Sequence, residues 1–298
     1  MSAVRGTFSI VAADLAAGEV GCAVQSKYFS VGSVVPWARA GVGAVATQAA
    51  GVAAFGEQAL VRLAAGTTPE EALAAVLTDD GGRETRQLGI VTADGRAAAF
   101  TGAECLEWAG HRVGAGFAVQ GNILAGPTVV DELARAFEET VGSLAERLVA
   151  ALEAGQAAGG DRRGQQSAAL VVERVGAAAA SREGIDRVCD LRVEDHAEPI
   201  VELRRLLGIW QVWQALARAN AHYEAREYAT GADELRRALV GAEDALVLYN
   251  LACYESLACR SAQAVEHLRR AVELEPSYRS LAAGDSDFDP VRNELDAL

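Results

Sequence analysis

The sequence predicts an α+β fold of two sheets and two helix pairs, followed by an all-helical region. Two observations lead there. Segments of strand and helix character run in the order strands, two helices, strands, two helices, strands. From about residue 199 the pattern becomes purely helical. Paired helices between groups of strands fit two sheets held between two helical layers, a four-layer αββα sandwich. A doubly wound sheet would need single helices alternating with single strands. The expected division is an α+β domain over residues 1–208 and a helical region over 209–298.

The first strands are residues 7–12 and 20–25. Asp14-Leu15-Ala16-Ala17-Gly18 supplies the polar residue and glycine of a hairpin bend between them. Residues 42–49 form a glycine-punctuated strand of small residues. A helix is expected over 55–64, stopped at Gly66. A second follows Thr68-Pro69-Glu70-Glu71, which offers an N-cap, proline at the first helical position and Glu three residues after the cap. Strands return at 87–92 and 97–101 around Asp94-Gly95, with a further one at 117–120. Helices are expected over 128–138 and 143–157. The glycine-rich Gly159-Gly160-Asp161-Arg162-Arg163-Gly164 loop then leads to strands at 167–173 and 187–193.

In the helical region, residues 244–276 fit the tetratricopeptide pattern, with Leu251-Ala252 in one helix, then Ala264, Leu268 and Ala271, then Pro276. Small alanines let paired helices approach closely, and leucines fill the groove between them. Gly231, Leu235 and Ala238 form a weaker copy 33 residues earlier (264 − 231). An ordinary antiparallel helix pair is the alternative. With at most two repeats, the tail is expected to lean on the main domain or on a partner copy for burial.

Composition narrows the function. The 298 residues carry 27 basic and 41 acidic side chains, a net charge of −14. Such a surface repels phosphate backbones and anionic membranes, so neither nucleic acid nor membrane is an expected partner. The five cysteines, an odd number without a CxxC pair, support neither a disulfide framework nor a zinc site. Arg5 is followed by only a short apolar stretch ended by Asp14, which is no signal peptide. No apolar run reaches the roughly 18–20 residues that span a bilayer. A cytoplasmic location is the expectation. The glycines form neither GxGxxG between strand and helix nor GxxxxGK[ST], GxSxG is absent, and the histidines lack ligand spacing. No metal or cofactor is expected.

Thr7 opens the first strand directly after a glycine and reads in two ways. It is a β-branched residue suited to a strand start. As a chain terminus it would instead be a nucleophile whose own α-amine, titrating near 7.7–8, serves as base. That second reading requires cleavage between Gly6 and Thr7.

Seven blocks in order resemble one bacterial family, the family of unknown function 1028. They are residues 7–14 (TFSIVAAD), 21–27 (GCAVQSK), 41–49 (GVGAVATQA), 87–91 (QLGIV), 108–111 (WAGH), 120–126 (QGNILAG) and 159–170 (GGDRRGQQSAAL). The resemblance covers residues 7–208. It implies an Ntn (N-terminal nucleophile) hydrolase-like fold and, with Thr7 as nucleophile, an amide-bond hydrolase acting on a small acyl or peptidic substrate. Family members commonly carry Met directly before the equivalent Thr, whereas residues 1–6 precede it here. In such a site Gln25, Ser26 and Lys27 on the second strand would orient the nucleophile, and Thr47 and Gln48 would donate to an oxyanion. Asn122 would present its amide to the cleft or form a turn. Asp161, Arg162 and Arg163 would bind a substrate carboxylate or tether their loop. Asp195-His196 is either an acid–base pair or structural. The competing class is a non-catalytic scaffold that keeps the fold and binds partners through its helical repeats.

Overall fold

The computed structural model describes residues 6–180, 184–239 and 244–297; residues 1–5, most of the segment preceding Thr7, lie outside these. The chain divides into two compact units, Met1–Leu207 and Gly208–Leu298.

The first unit contains β1 (Thr7–Asp14), β2 (Glu19–Ser26), β3 (Pro36–Arg39), β4 (Gly43–Ala49), α1 (Ala54–Ala64), α2 (Pro69–Leu77), β5 (Arg86–Thr92), β6 (Ala97–Thr101), β7 (Gly110–Gly114) and β8 (Phe117–Asn122). It continues with α3 (Thr128–Glu139), α4 (Leu144–Ala157), β9 (Ser167–Arg174), the single turn α5 (Ala177–Ala180) and β10 (Arg187–Val193). Six strands form one sheet in the order β10-β9-β2-β1-β8-β7, and four form a second in the order β3-β4-β5-β6. The named strand pairs are all antiparallel.

Strand alternation decides what each face buries. Val11, Cys22, Val24, Ala44, Ala46 and Val91 fill the space between the sheets. Val45, Leu88 and Ile90 point to the opposite face of the smaller sheet, where Phe55, Leu60 and Leu73 of α1 and α2 cover them. Helices α3 and α4 pack on the larger sheet. A Cβ at Gly21 would meet the Val171 carbonyl at 2.8 Å and the Leu148 side chain at 2.9 Å, so only glycine lets β2 and α4 lie this close. Thr68 with Glu71, and Ser143 with Glu146, form capping boxes that satisfy the first amides of α2 and α4.

Two strands escape the sequence reading. β3 is a four-residue, half-buried edge strand that starts at a proline. β7 is a mostly exposed edge strand bracketed by glycines. Neither strand has a fully buried residue, so neither displays the apolar alternation that reveals a strand.

Helix α6 (Pro199–Glu224) begins in the first unit and ends in the second. The second unit continues with α7 (Tyr228–Ala238), α8 (Ala245–Leu257), α9 (Ser261–Leu274), α10 (Tyr278–Gly284) and a 3-10 stretch, Ser286–Ala297. Ala252, Ala264 and Ala271 are fully buried, and Leu235, Leu251, Leu268 and Phe288 fill the core around them. The turns entering α7 and α9 match at a spacing of 33 residues. Arg226 and Cys259 are both left-handed, with φ of 60° and 58°. The next amides, on Glu227 and Arg260, bond the carbonyls of His222 and Glu255. Among the described residues, no helix is long and apolar enough to cross a membrane.

Glu255 of α8 is fully buried. Its carboxylate accepts from Arg236 of α7 and from His267 Nδ1 of α9 at 2.7 Å, so one buried charge joins three helices. The hydrogen bond to Glu255 raises the His267 pKa, against the effect of burial. A raised pKa stabilises the fold while the imidazole is charged, and this stabilisation is lost as pH rises through the folded-state value, which lies above 6.5. The melting temperature of the second unit is therefore expected to fall as pH rises from 6 through that titration. His267→Gln should remove this component from a calorimetric pH series.

Candidate active site

Thr7 is the first residue of β1, at the centre of the larger sheet, paired with Ser26 on β2 and Asn122 on β8. Alternation points Thr7, Ser9, Ser26, Gln120 and Asn122 toward the smaller sheet, which contributes Gln48 and Gln87 from β4 and β5. All seven side chains are buried. Ser9 donates to Gln48 Oε1 at 2.6 Å, and Gln120 Nε2 donates to Ser9 Oγ at 2.6 Å. Gln48 Nε2 and Asn122 Nδ2 both donate to Gln87 Oε1 at 2.9 Å. Gln87 Nε2 in turn reaches the Gly121 carbonyl at 2.8 Å and Thr101 Oγ1 at 3.0 Å. Neutral amides thus stitch the two sheets together behind Thr7.

In front of this network lies the Gly6–Thr7 peptide. The Gly6 carbonyl accepts from Ser26 Oγ at 2.6 Å and from Arg163 Nη2 at 2.7 Å. Thr7 Oγ1 lies 2.9 Å from Ser26 Oγ. A hydroxyl has one proton. Ser26 directs its proton to Gly6, so Thr7 is the donor between the two hydroxyls. The order is Thr7 to Ser26 to the Gly6 carbonyl.

Asp161, 3% exposed, holds Arg163 in place. Its carboxylate accepts from Arg163 Nε at 3.1 Å, Arg163 Nη2 at 2.8 Å and the Arg163 amide at 2.9 Å, and also from the Lys27 amide at 3.2 Å. Its loop is bridged to residues 123–125 through Leu124 and the Arg162 and Ala125 amides. A cavity of about 60 Å³ opens beside Thr7 and Ser26, lined also by Tyr28, Val31, Thr47 and Ala49. Ala49 and Ile123, next to Gln48 and Asn122, have left-handed φ of 66° and 54°. For a β-branched residue such as Ile123 this is strained, and strain of this kind gathers at functional sites.

A model of the family of unknown function 1028 matches residues 7–203, beginning at Thr7 itself. The chain belongs to that family. The crystal structure of protein SPO2555 from Silicibacter pomeroyi, of the same family, is similar to it, with 33% identity and a TM-score of 0.62 over 68% of this chain and 84% of that one. A comparison with curated proteins finds no match.

Within this family member, the sequence-predicted residues separate by face. Thr7, Ser26, Gln48 and Asn122 come together. Asn122 ends β8 as a strand residue rather than forming a turn. Thr47 lines the cavity, and its hydroxyl donates to the Val52 carbonyl. Gln25 cannot orient Thr7, because it pairs with Phe8 and so points to the opposite face from its neighbour Ser26. It is fully buried there, its amide without a partner among the described residues. Lys27 contributes its main chain to Asp161, while its ammonium group is exposed and donates to the Gln165 carbonyl. Asp161 and Arg163 reach the Gly6 carbonyl, but Arg162 is exposed and joins only through its backbone. Asp195 and His196 make separate contacts, Asp195 with Gln166 and His196 Nδ1 with the Glu198 amide.

Sequence reasoning passed over Ser9, Gln87 and Gln120. Their signal was a polar side chain inside an otherwise apolar strand. Replacing Gln87 with Leu strands two buried amide donors and is expected to cost about 2–3 kcal/mol in urea denaturation.

Proposed function

We propose that the first unit is an Ntn-type amidohydrolase of four-layer αββα architecture, with Thr7 as nucleophile once residues 1–6 are removed. The observation that carries this reading is the seating of the Gly6–Thr7 peptide. The carbonyl to be attacked already accepts a guanidinium and a hydroxyl, and the attacking hydroxyl already points its proton away along Ser26.

Thr7 Oγ1 adds to the Gly6 carbonyl carbon, its proton passing to Ser26 while the Ser26 proton passes to the Gly6 oxygen. Arg163 stabilises negative charge building on that oxygen, as a fixed donor does in an oxyanion hole. The C–N bond then breaks, and the nitrogen takes the proton back from the former carbonyl oxygen. The products are a Gly6 ester on Thr7 Oγ1 and a free Thr7 α-amine. Water hydrolyses the ester and releases the Gly6 carboxylate. In turnover the amine takes the Thr7 proton, delivers it to the leaving group of a small acyl or peptidic amide, and the same kind of ester forms.

A second reading is favoured by the helical unit. Turns repeated at 33 residues and buried alanines at helix contacts support a tetratricopeptide-like module. A groove of about 450 Å³ lined by Arg236, Leu248, Leu251, His267 and Arg269 would serve a partner or a second copy. In that case the first unit is a scaffold with an intact Gly6–Thr7 bond.

Intact-mass spectrometry of the full chain separates the two. The hydrolase reading expects a species that begins at Thr7, lost in Thr7→Ala. Ser26→Ala and Arg163→Ala are each expected to slow its appearance by roughly 100- to 1,000-fold, the effect of losing one oxyanion donor. A chain that retains residues 1–6 at full occupancy overturns this reading and leaves the scaffold.

A further inference from the structure

The segment before Thr7 shows what the acyl side of this site admits. Gly6 is buried, with no room beside it for a side chain. A Cβ on residue 6 would lie 2.6 Å and 2.7 Å from the two Asp161 carboxylate oxygens and 2.8 Å from the carbon that joins them. Such distances lie inside van der Waals contact, so something must shift.

Asp161 cannot easily move. Both oxygens are held, by the Lys27 amide and by three donors of Arg163, and the residue is buried. Swinging the carboxylate aside would break a buried ion pair and release the guanidinium that holds the Gly6 carbonyl. The two requirements oppose each other. A larger residue 6 displaces Asp161, and Asp161 is what aims Arg163.

We propose that the enzyme accepts acyl groups with an unsubstituted methylene next to the carbonyl, that is, glycyl-type amides. This inference rests on the hydrolase reading above. Self-cleavage and turnover pass through one kind of intermediate, an acyl ester on Thr7 Oγ1. A substrate that forms that ester with its carbonyl oxygen on Arg163 and Ser26 places its α-carbon where the Gly6 α-carbon lies. An L-α-substituent then points at the Asp161 carboxylate. Overall, the amide C–N bond is cleaved by water, the acyl carbon takes the hydroxyl, and the nitrogen leaves carrying a proton.

The test uses the full-length chain with two probes, N-acetylglycinamide and N-acetyl-L-alaninamide, reading ammonia release. Ammonia is a small leaving group, so discrimination reports on the acyl side. N-acetylglycinamide is expected to be turned over about 10- to 100-fold more efficiently in kcat/KM, the usual effect of forcing one extra methyl into a packed site. In parallel, Gly6→Ala is expected to slow self-cleavage by a similar factor, read by intact mass. Should that variant misfold, as a melting scan would show, the two-probe comparison on the unaltered chain still decides. Equal or faster hydrolysis of the alanine probe by a chain beginning at Thr7 overturns the glycyl preference and leaves the hydrolase reading standing. A chain that never exposes Thr7 and hydrolyses neither probe overturns both.

Discussion

The arrangement around Thr7 depends on one buried carboxylate. Asp161 accepts hydrogen bonds from a neighbouring main chain, from its own loop and from the Arg163 side chain, and it abuts the Gly6 α-carbon. A buried charge is tolerated only when its lone pairs are filled, and here they are filled by groups that must each occupy a defined place. The end of β2, the glycine-rich loop and the residue before β1 are thereby fixed against one another. The left-handed Gly159, Gly160 and Gly164 let that loop fold tightly enough to bring the carboxylate in. Without Asp161 the guanidinium would lose its bearing, and the Gly6 carbonyl would keep a single hydroxyl donor.

Behind this charged clasp the structure uses only neutral polar groups. Ser9, Gln48, Gln87, Gln120 and Asn122 form the bridge between the sheets, and none of them ionises. A buried amide network of this kind fixes the register between two sheets that apolar contacts alone would leave free to slide. It also holds Thr7 through Asn122, its partner on β8, and through Gln48, whose amide donates to the Thr7 carbonyl at 3.4 Å, without placing a second charge beside the hydroxyl. Among the described residues, Arg163 brings positive charge onto the Gly6 carbonyl oxygen, where the proposed reaction would build negative charge.

The sequence showed the parts of this architecture that obey local rules. The β1–β2 hairpin, the Thr68 and Ser143 helix starts and the small-residue helix contacts all follow from turn chemistry, capping and periodicity. β3 and β7 stayed hidden because both are short and neither has a fully buried residue to leave a pattern. At the site, Ser26 was singled out through the family resemblance, which implies that the strand after the hairpin carries the neighbours of Thr7. Gln25 misled because adjacent strand residues face opposite ways, which no argument from proximity in sequence captures. The grip of Arg163 on Gly6 spans 157 residues and depends on where the glycine-rich loop lands. The polar residues of the amide network were visible as exceptions in apolar strands, but their partners lie on the other sheet.

The same contacts bear on what the proposed cleavage before Thr7 would leave behind. In the intact chain the Gly6 carbonyl is the acceptor for both Ser26 and Arg163, so two strong donors are satisfied by the chain's own backbone. Under the proposed cleavage, departure of residues 1–6 would withdraw that acceptor, while the bonds from Asp161 to Arg163 would still hold the guanidinium. Donors left facing a vacated volume favour any ligand that returns an oxygen to that position. The Thr7 nitrogen, an amide in the intact chain, would then be a free amine beside its own hydroxyl and able to take its proton. On the hydrolase proposal Gly6 would act as a template, since Ser26 and Arg163, which its carbonyl engages, are the groups a substrate carbonyl would engage after cleavage.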